Sequence, residues 1–423
     1  MKREFFESDI GESYVKAVHE SGLQIYILEK PQYNSAYALF GTKYGSIDTC
    51  FSVNGEELCV PEGIAHFLEH KLFESEDGDA FSKYAKTGAY ANAFTSFDRT
   101  CYLFSCSDKF YENLGILLDF VQSPYFTEAT VKKEQGIIGQ EIRMYDDSPA
   151  WRVMFNMLMA MYHNHPVRID IAGTVESIAK IDYSLLYKCY KTFYNPSNMF
   201  ICIAGNVDTD TVLRQIEGGI KKSNAVEIIR KTTEEPQTVL KSYVEQALPV
   251  AQPMFCLGFK EKVENPERSL KERVNTSLLL ELIAGDTSPL YKKLVCEGLI
   301  NDEFSFEYFT GYGYSAVIFE GESADPVRVA NEIKAEIVRI KAEGIDKKLF
   351  SAVRSGMYGN AIRTFNSVEG IAMQMVDCAM FGSSLFDEIK ALKSATVEDV
   401  LKRLSLLENE NSVLSVIKPL EDN

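Results

Sequence analysis

Positive charge is scarce in this chain: 44 Lys and Arg face 61 Asp and Glu, a formal net charge of −17 over 423 residues. That balance excludes the basic surface on which nucleic-acid binding depends. The plain reading is an acidic, solvated surface, and any ligand it attracts by charge should be basic. Long apolar runs are missing too. MFICIAGNV and SLLLELIAG fall far short of the ~18 residues that a membrane-spanning helix needs, so no membrane span is expected. The N-terminal stretch MKREFFESDIGESY is acidic and has no apolar core, which fits neither a secretory signal nor a transit peptide. Cysteine pairs with metal or redox spacing are absent: the nine cysteines are scattered, and the closest two, Cys101 and Cys106, share an apparent strand. Reduced thiols in a cytoplasmic protein are therefore expected. What remains is ordinary globular composition, 46% hydrophobic and 25% charged, at a length that favours two or three domains.

The order of elements repeats. The first half opens with strands at Gly22–Leu28 and Ala36–Gly45, then a helix at Pro61–Glu74 and a strand region at Ala91–Cys106. Helical stretches follow at Lys109–Gln122, Thr127–Tyr145, Ala150–Tyr162 and Tyr183–Phe193, before a strand at Asn198–Gly205. Thr127 with Glu128 marks one helix start, and Ser148-Pro149 lies beyond its end. Lys221–Pro236 is polar and charged and reads as a linker. The second half then gives a strand (Met254–Phe259), a helix (Leu270–Ala284), strands around Glu303–Glu320, long helices (Pro326–Glu343, Asp346–Thr364) and a last strand, Ser412–Lys418. A period of roughly 200 residues points to duplication. The expected fold is α+β: two similar domains, residues 1–225 and 226–423, each a mixed, mostly antiparallel sheet with helices packed on one face.

Histidine is the rarest of the chemically active residues, and its placement is not scattered. Two of the five flank a glutamate in His66-Phe67-Leu68-Glu69-His70. On a helix, residues i and i+4 share a face, so His66 and His70 can aim two imidazoles at one ion. Glu69 sits at the edge of that face, placed to reach a water without ligating the metal. Zinc catalysis needs this combination: neutral nitrogen ligands, one open position and a carboxylate base. A chance i, i+4 histidine pair is common, but chance gives H-x-x-E-H in roughly one chain in a few hundred of this composition. The order is that of the inverzincin motif, the reverse of H-E-x-x-H. A third ligand is required. Glu134 and Glu141, two turns apart on one helical face, are candidates, and so are His163 and His165 in HNHP. Spacing leaves them open.

HFLEH followed by EQGIIGQEI resembles the pitrilysin-type metallopeptidases, the family of mitochondrial processing peptidase and insulin-degrading enzyme. NAFTSFDRTCY (Asn92–Tyr102), HPVRIDIAGTVESI (His165–Ile178) and YNPSNMFICIAGNVD resemble further family segments in the same order, across about residues 20–210. The likeness is closest to single-length bacterial members, and it implies a peptidase clamshell of which one chain forms half. It also implies one Zn2+ per chain held by His66, His70 and Glu141, with Glu69 as general base and Glu134 as a supporting catalytic carboxylate. His163 and His165 become structural. Asn92 and Ala93 would lie on an edge strand that pairs with the backbone of a peptide substrate.

One departure bears on function. Family members carry an Arg and a Tyr seven residues apart in the second half, reaching the substrate across the closed chamber. Alignment on Gly298-Leu299 puts Leu294 and Asn301 there, and neither stabilises an oxyanion. The expectation is a zinc subunit of a heterodimer, hydrolysing short or unfolded peptides, whose homologous partner supplies the Arg and Tyr. The alternatives are a non-catalytic scaffold subunit and a low-activity homodimer.

Overall fold

The computed structural model describes residues 1–76, 78–231, 234–263 and 269–420. Two residues of the expected linker, 232 and 233, thus lie outside the described residues. The chain forms two compact units: Met1–Ile142, Asp170–Lys231 and Ile362–Leu385 make the first, and Arg143–Ile169, Thr232–Ala361 and Phe386–Asn423 the second.

The first unit is built on strands β1 (Lys2–Glu7), β2 (Ser13–Val18), β3 (Gln24–Glu29), β4 (Ala36–Thr42), β5 (Cys50–Val53), β6 (Glu56–Cys59), β7 (Glu74–Ser75), β8 (Gly78–Asp79), β9 (Tyr90–Thr95), β10 (Thr100–Cys106), β11 (Met199–Gly205) and β12 (Ile228–Arg230). Its main sheet has the order β1-β2-β3-β11-β4-β10-β9. Only β3 and β11 run parallel in it. Every residue of β4 and β11 is buried, so the middle of the sheet is covered on both faces, as their near-continuous apolar sequences require. The second unit contributes β13 (Tyr243–Ala247), β14 (Met254–Lys260), β15 (Ser305–Gly311), β16 (Tyr314–Glu322) and β17 (Ser412–Lys418), ordered β13-β17-β14-β16-β15.

The duplication is visible in these two lists. β13-β17-β14-β16-β15 repeats β3-β11-β4-β10-β9 strand for strand, with the parallel pair in the same place. The fold is α+β with two sheet-containing halves, as expected. The single cut between residues 225 and 226 is not what the units follow. Helix α1 spans Ile64–Leu72, α2 Ala80–Thr87, α3 Phe110–Val121, α4 Glu128–Asp146 and α5 Pro149–Met161. Of these, α5 packs on β14 and β17 of the second unit, whereas the helix Val368–Phe381 packs on β4 and β11 of the first. An apolar helix face specifies burial but not which of two similar sheets buries it, so sequence order could not reveal the exchange.

Three further differences have local causes. The strand region Ala91–Cys106 is a hairpin, β9 and β10, in which Tyr102 faces Ala93. The N-terminal strand β1 went unseen because it is charged and almost wholly exposed, leaving no alternation to read. Cys50 and Cys59 are joined by a disulfide, against the expectation of nine reduced thiols; the β5–β6 register sets them opposite each other. Among the described residues no helix is long and apolar enough to cross a membrane.

Candidate functional site

α1 is placed by its own apolar face and by its first residue. Ile64, Ala65, Phe67, Leu68 and Leu72 are buried. Gly63 opens the helix in the left-handed region (φ 86°), and a Cβ there would lie 2.3 Å from the Ala172 carbonyl oxygen. Only glycine fits both demands. Ser177 reinforces the junction: its hydroxyl donates to the Glu62 carbonyl (2.9 Å), and it closes a capping box with Thr174. The segment GTVES is thus the brace behind the start of α1, a role its sequence did not disclose.

From that base α1 projects His66 and His70 side by side, ring centroids 4.5 Å apart. α4 supplies the opposing carboxylates from one face, two turns apart. Glu141 approaches His66 Nε2 at 3.7 Å and His70 Nε2 at 3.4 Å. Glu134 lies behind His70, its Oε1 2.9 Å from Nδ1. His163 and His165 belong to the second unit. There the carboxylate of Glu235 accepts the backbone N–H groups of His163, Asn164 and His165 (2.8, 2.7 and 2.8 Å) and pairs with Lys260. Among the described residues, the three-residue group able to hold a metal is His66, His70 and Glu141, with ligand atoms within 4.8 Å of one another.

Glu69 is held from β9. The Thr95 hydroxyl of β9 donates to its Oε2 at 2.6 Å. Burial is the main influence on its carboxyl and raises it above the ordinary range, although the Thr95 hydrogen bond opposes. A raised carboxyl is a stronger base. Burial, with the neighbouring His70 ring, holds His66 down to about 3, so its imidazole is neutral. For His70 burial works in the same direction, but the Glu134 hydrogen bond and the nearby carboxylates outweigh it and raise the group.

These features fit zinc. Two imidazole nitrogens and a carboxylate are the ligand types it takes, and their separations approach the ~3.3 Å between tetrahedral ligands at zinc distances. Glu134 on Nδ1 stands where an outer partner would orient His70 as a ligand and leave its Nε2 free. His66 Nδ1 is buried with no hydrogen-bond partner among the described residues, a cost tolerated where the ring serves another bond.

Asn92 and Ala93 lie on β9, the terminal strand of the sheet. The Ala93 N–H donates to the Asn92 side-chain oxygen (2.9 Å). A cavity of about 570 Å3 joins these parts: Glu69, His70, Asn92, Ala93 and Glu134 all line it. In the second unit Leu294 is fully buried, and Asn301 donates to Glu322 at 2.9 Å.

An adjacent pair of imidazoles, one of them lining a cavity, with carboxylates close by is the equipment of a metallopeptidase, and comparison with known proteins agrees. Residues 60–175 match the family model for Insulinase (Peptidase family M16), and residues 180–357 match that for the Peptidase M16 inactive domain. The chain is 45% identical over 389 residues, 90% of each chain, to a Bacillus subtilis protein described as uncharacterized zinc protease YmfH. It is 36% identical to an M16-like peptidase from Alicyclobacillus acidocaldarius, whose crystal structure superposes with a TM-score of 0.94 over 98% of this chain and 100% of that one. Pitrilysin shares the fold at 16% identity, with a TM-score of 0.76 over 99% of this chain and 46% of its own length. The chain belongs to the M16, or insulinase and pitrilysin-type, peptidase family.

Proposed function

We propose that this chain is a zinc endopeptidase for short or unfolded peptides and acts as the zinc subunit of a heterodimer. The observation that carries the reading is the convergence of His66, His70 and Glu141 on one point, with Glu69 beside it at the cavity. Zinc held by those three side chains supplies Lewis-acid polarisation of a peptide carbonyl and acidifies a water. Glu69, buried and raised, takes the proton from the attacking water and returns it to the leaving amine. Glu134 takes no part in that transfer in our reading; it holds the His70 ring by Nδ1. β9 pairs with the peptide backbone, the substrate displacing the Asn92 side chain from the Ala93 N–H. Main-chain pairing of this kind places few demands on the peptide's sequence.

The heterodimer part rests on Leu294 and Asn301. One is buried and the other engaged with Glu322, so an Arg and a Tyr for the transition state have to come from a homologous partner. The cytoplasmic location expected from scattered, reduced cysteines is set against the Cys50–Cys59 bond, since disulfides persist in oxidising compartments; cell fractionation decides between them.

Metal analysis of the purified chain, with cleavage of mixed peptides with and without chelator, tests the function. The expected result is one zinc per chain and chelator-sensitive cleavage that appears when the copurifying homologue is added. Full activity as a homodimer would overturn the heterodimer. Absence of zinc and of cleavage in the assembled complex would establish a scaffold subunit.

A further inference from the structure

β9 makes two kinds of contact beside the metal centre. Its Asn92 and Ala93 line the cavity, and two residues further on Thr95 turns its hydroxyl to Glu69. Residues i and i+2 of a strand share a face, so Ala93 and Thr95 stand side by side. One short strand therefore carries both the proposed peptide-pairing edge and a contact to the proposed base.

The protons at this corner can be assigned. A threonine hydroxyl has one proton to give. Thr100, opposite Thr95 in the β9–β10 hairpin and fully buried, gives its proton to the Tyr44 carbonyl at 2.9 Å. The two threonine oxygens are 3.4 Å apart, too far to compete. The Thr95 proton lies on Glu69 Oε2 at 2.6 Å, the short distance expected of a hydroxyl donating to a carboxylate. Glu69 Oε1 has no hydrogen-bond partner among the described residues, although Glu69 lines the cavity. The two oxygens of one carboxylate are thus unlike: one is tied to the sheet, and the other is open.

We infer that Thr95 is a positioning residue: it ties down Oε2 so that Oε1 alone faces the attacking water and takes its proton. The terminal torsion of a glutamate is broad and has little preference of its own. A catalytic group displaced by about 1 Å can cost on the order of 100-fold in rate, so an anchor on that torsion matters. Because the anchor comes from β9, the base and the backbone of a paired peptide are set by the same strand. The inference rests on the proposed peptidase function and adds to it the residue that aims its base.

Thr95→Val removes the donor at nearly constant shape, and Thr95→Ser keeps it; Thr95→Ala replaces the valine variant should that one not fold. Crystal structures of the zinc-loaded chains show the carboxylate directly, and peptide kinetics with the assembled complex show the consequence. The Glu69 carboxylate should hold one orientation in the parent and in Thr95→Ser, and rotate or spread over several in Thr95→Val. Turnover of Thr95→Val should fall roughly 10–100-fold, with zinc content and KM unchanged, and Thr95→Ser should recover most of it. A hydrogen bond donated to a carboxylate also weakens it as a base, so that role has the opposite sign. Turnover that rises in Thr95→Val would make Thr95 a brake on the base and overturn the inference. So would an unmoved carboxylate, a loss that falls on KM or zinc content instead, or one that serine does not recover. A carboxylate that swings in Thr95→Val, in a complex that cleaves nothing even with Thr95 intact, would keep the anchor and sink the peptidase.

Discussion

In the first unit, the helix between β4 and the edge hairpin carries His66, Glu69 and His70. In the second, the helix in the matching place, Leu270–Ala284, buries Leu278, Leu279, Leu280, Leu282 and Ile283. Its buried Thr276 accepts from Arg403 Nε at 2.8 Å, and Arg403 in turn pairs with the buried Glu261 at 2.5 Å. Tyr308 and Ser315 also donate to Glu261. So both units bury polar groups beneath the same five-strand pattern, to opposite ends. The second unit closes its network on itself, which stabilises. The first leaves donor capacity pointing at a cavity, which is what a ligand needs. One topology thus serves as scaffold or as site according to a few side chains.

The largest effect that could break this contrast is kinetic. Glu69→Gln should leave zinc content unchanged in metal analysis while lowering peptide turnover by about 10²–10⁴-fold. Normal turnover would remove Glu69 as the base. Next comes the closed network. Arg403→Leu removes the guanidinium that pairs with the buried Glu261 in the second unit and should cost about 3–5 kcal/mol in urea unfolding. If that variant is as stable as the parent, the network is not structural.

His165 gives a similar effect through pH. Burial, opposed by a hydrogen bond to the Tyr312 carbonyl, holds it down to about 4. Its folded value lies below the ordinary ~6.5, so protons favour the unfolded chain. Its contribution is complete above about pH 6.5 and fades as pH falls toward 4, by about 3 kcal/mol at most. Denaturation of His165→Asn at pH 7 and 4.5 should show that pH dependence reduced; an unaltered dependence points to another group.

Two smaller changes sharpen the view of the first unit. Glu134→Ala frees the His70 ring and should weaken zinc binding by about 10–100-fold, read by competition with a chelating dye. Unchanged affinity would mean that Glu134 does not orient the ligand. Ser177→Ala loses the brace to Glu62 and part of a capping box, at about 1 kcal/mol in thermal or urea unfolding. A larger loss would show that the start of α1 depends on it more than one hydrogen bond allows.

Local rules made much of this legible in advance. Helical spacing put His66 and His70 on one face, and short apolar runs located β3, β4, β11 and β17, because both signals depend on neighbours along the chain. Resemblance preferred Glu141 over its rivals. Distance then brought it within 3.7 Å of His66 Nε2 and put Glu134 on the far side of His70. The charged strand β1 lacked the alternation that reveals strands. The Cys50–Cys59 pair was hidden because only the hairpin register sets the two opposite each other.

The sequence by itself determined that a helix would present two imidazoles and a carboxylate, and that two halves would repeat an α+β pattern. Those are properties of residue type, period and order. Tertiary structure alone decided which carboxylate joins the histidines, that His163 and His165 belong to the other unit, and that α5 and the helix Val368–Phe381 exchange sheets. It also brought the Thr95 hydroxyl of β9 to the Glu69 carboxylate. Each of these depends on separation in space between residues far apart in the chain, and periodicity carries no information about that distance.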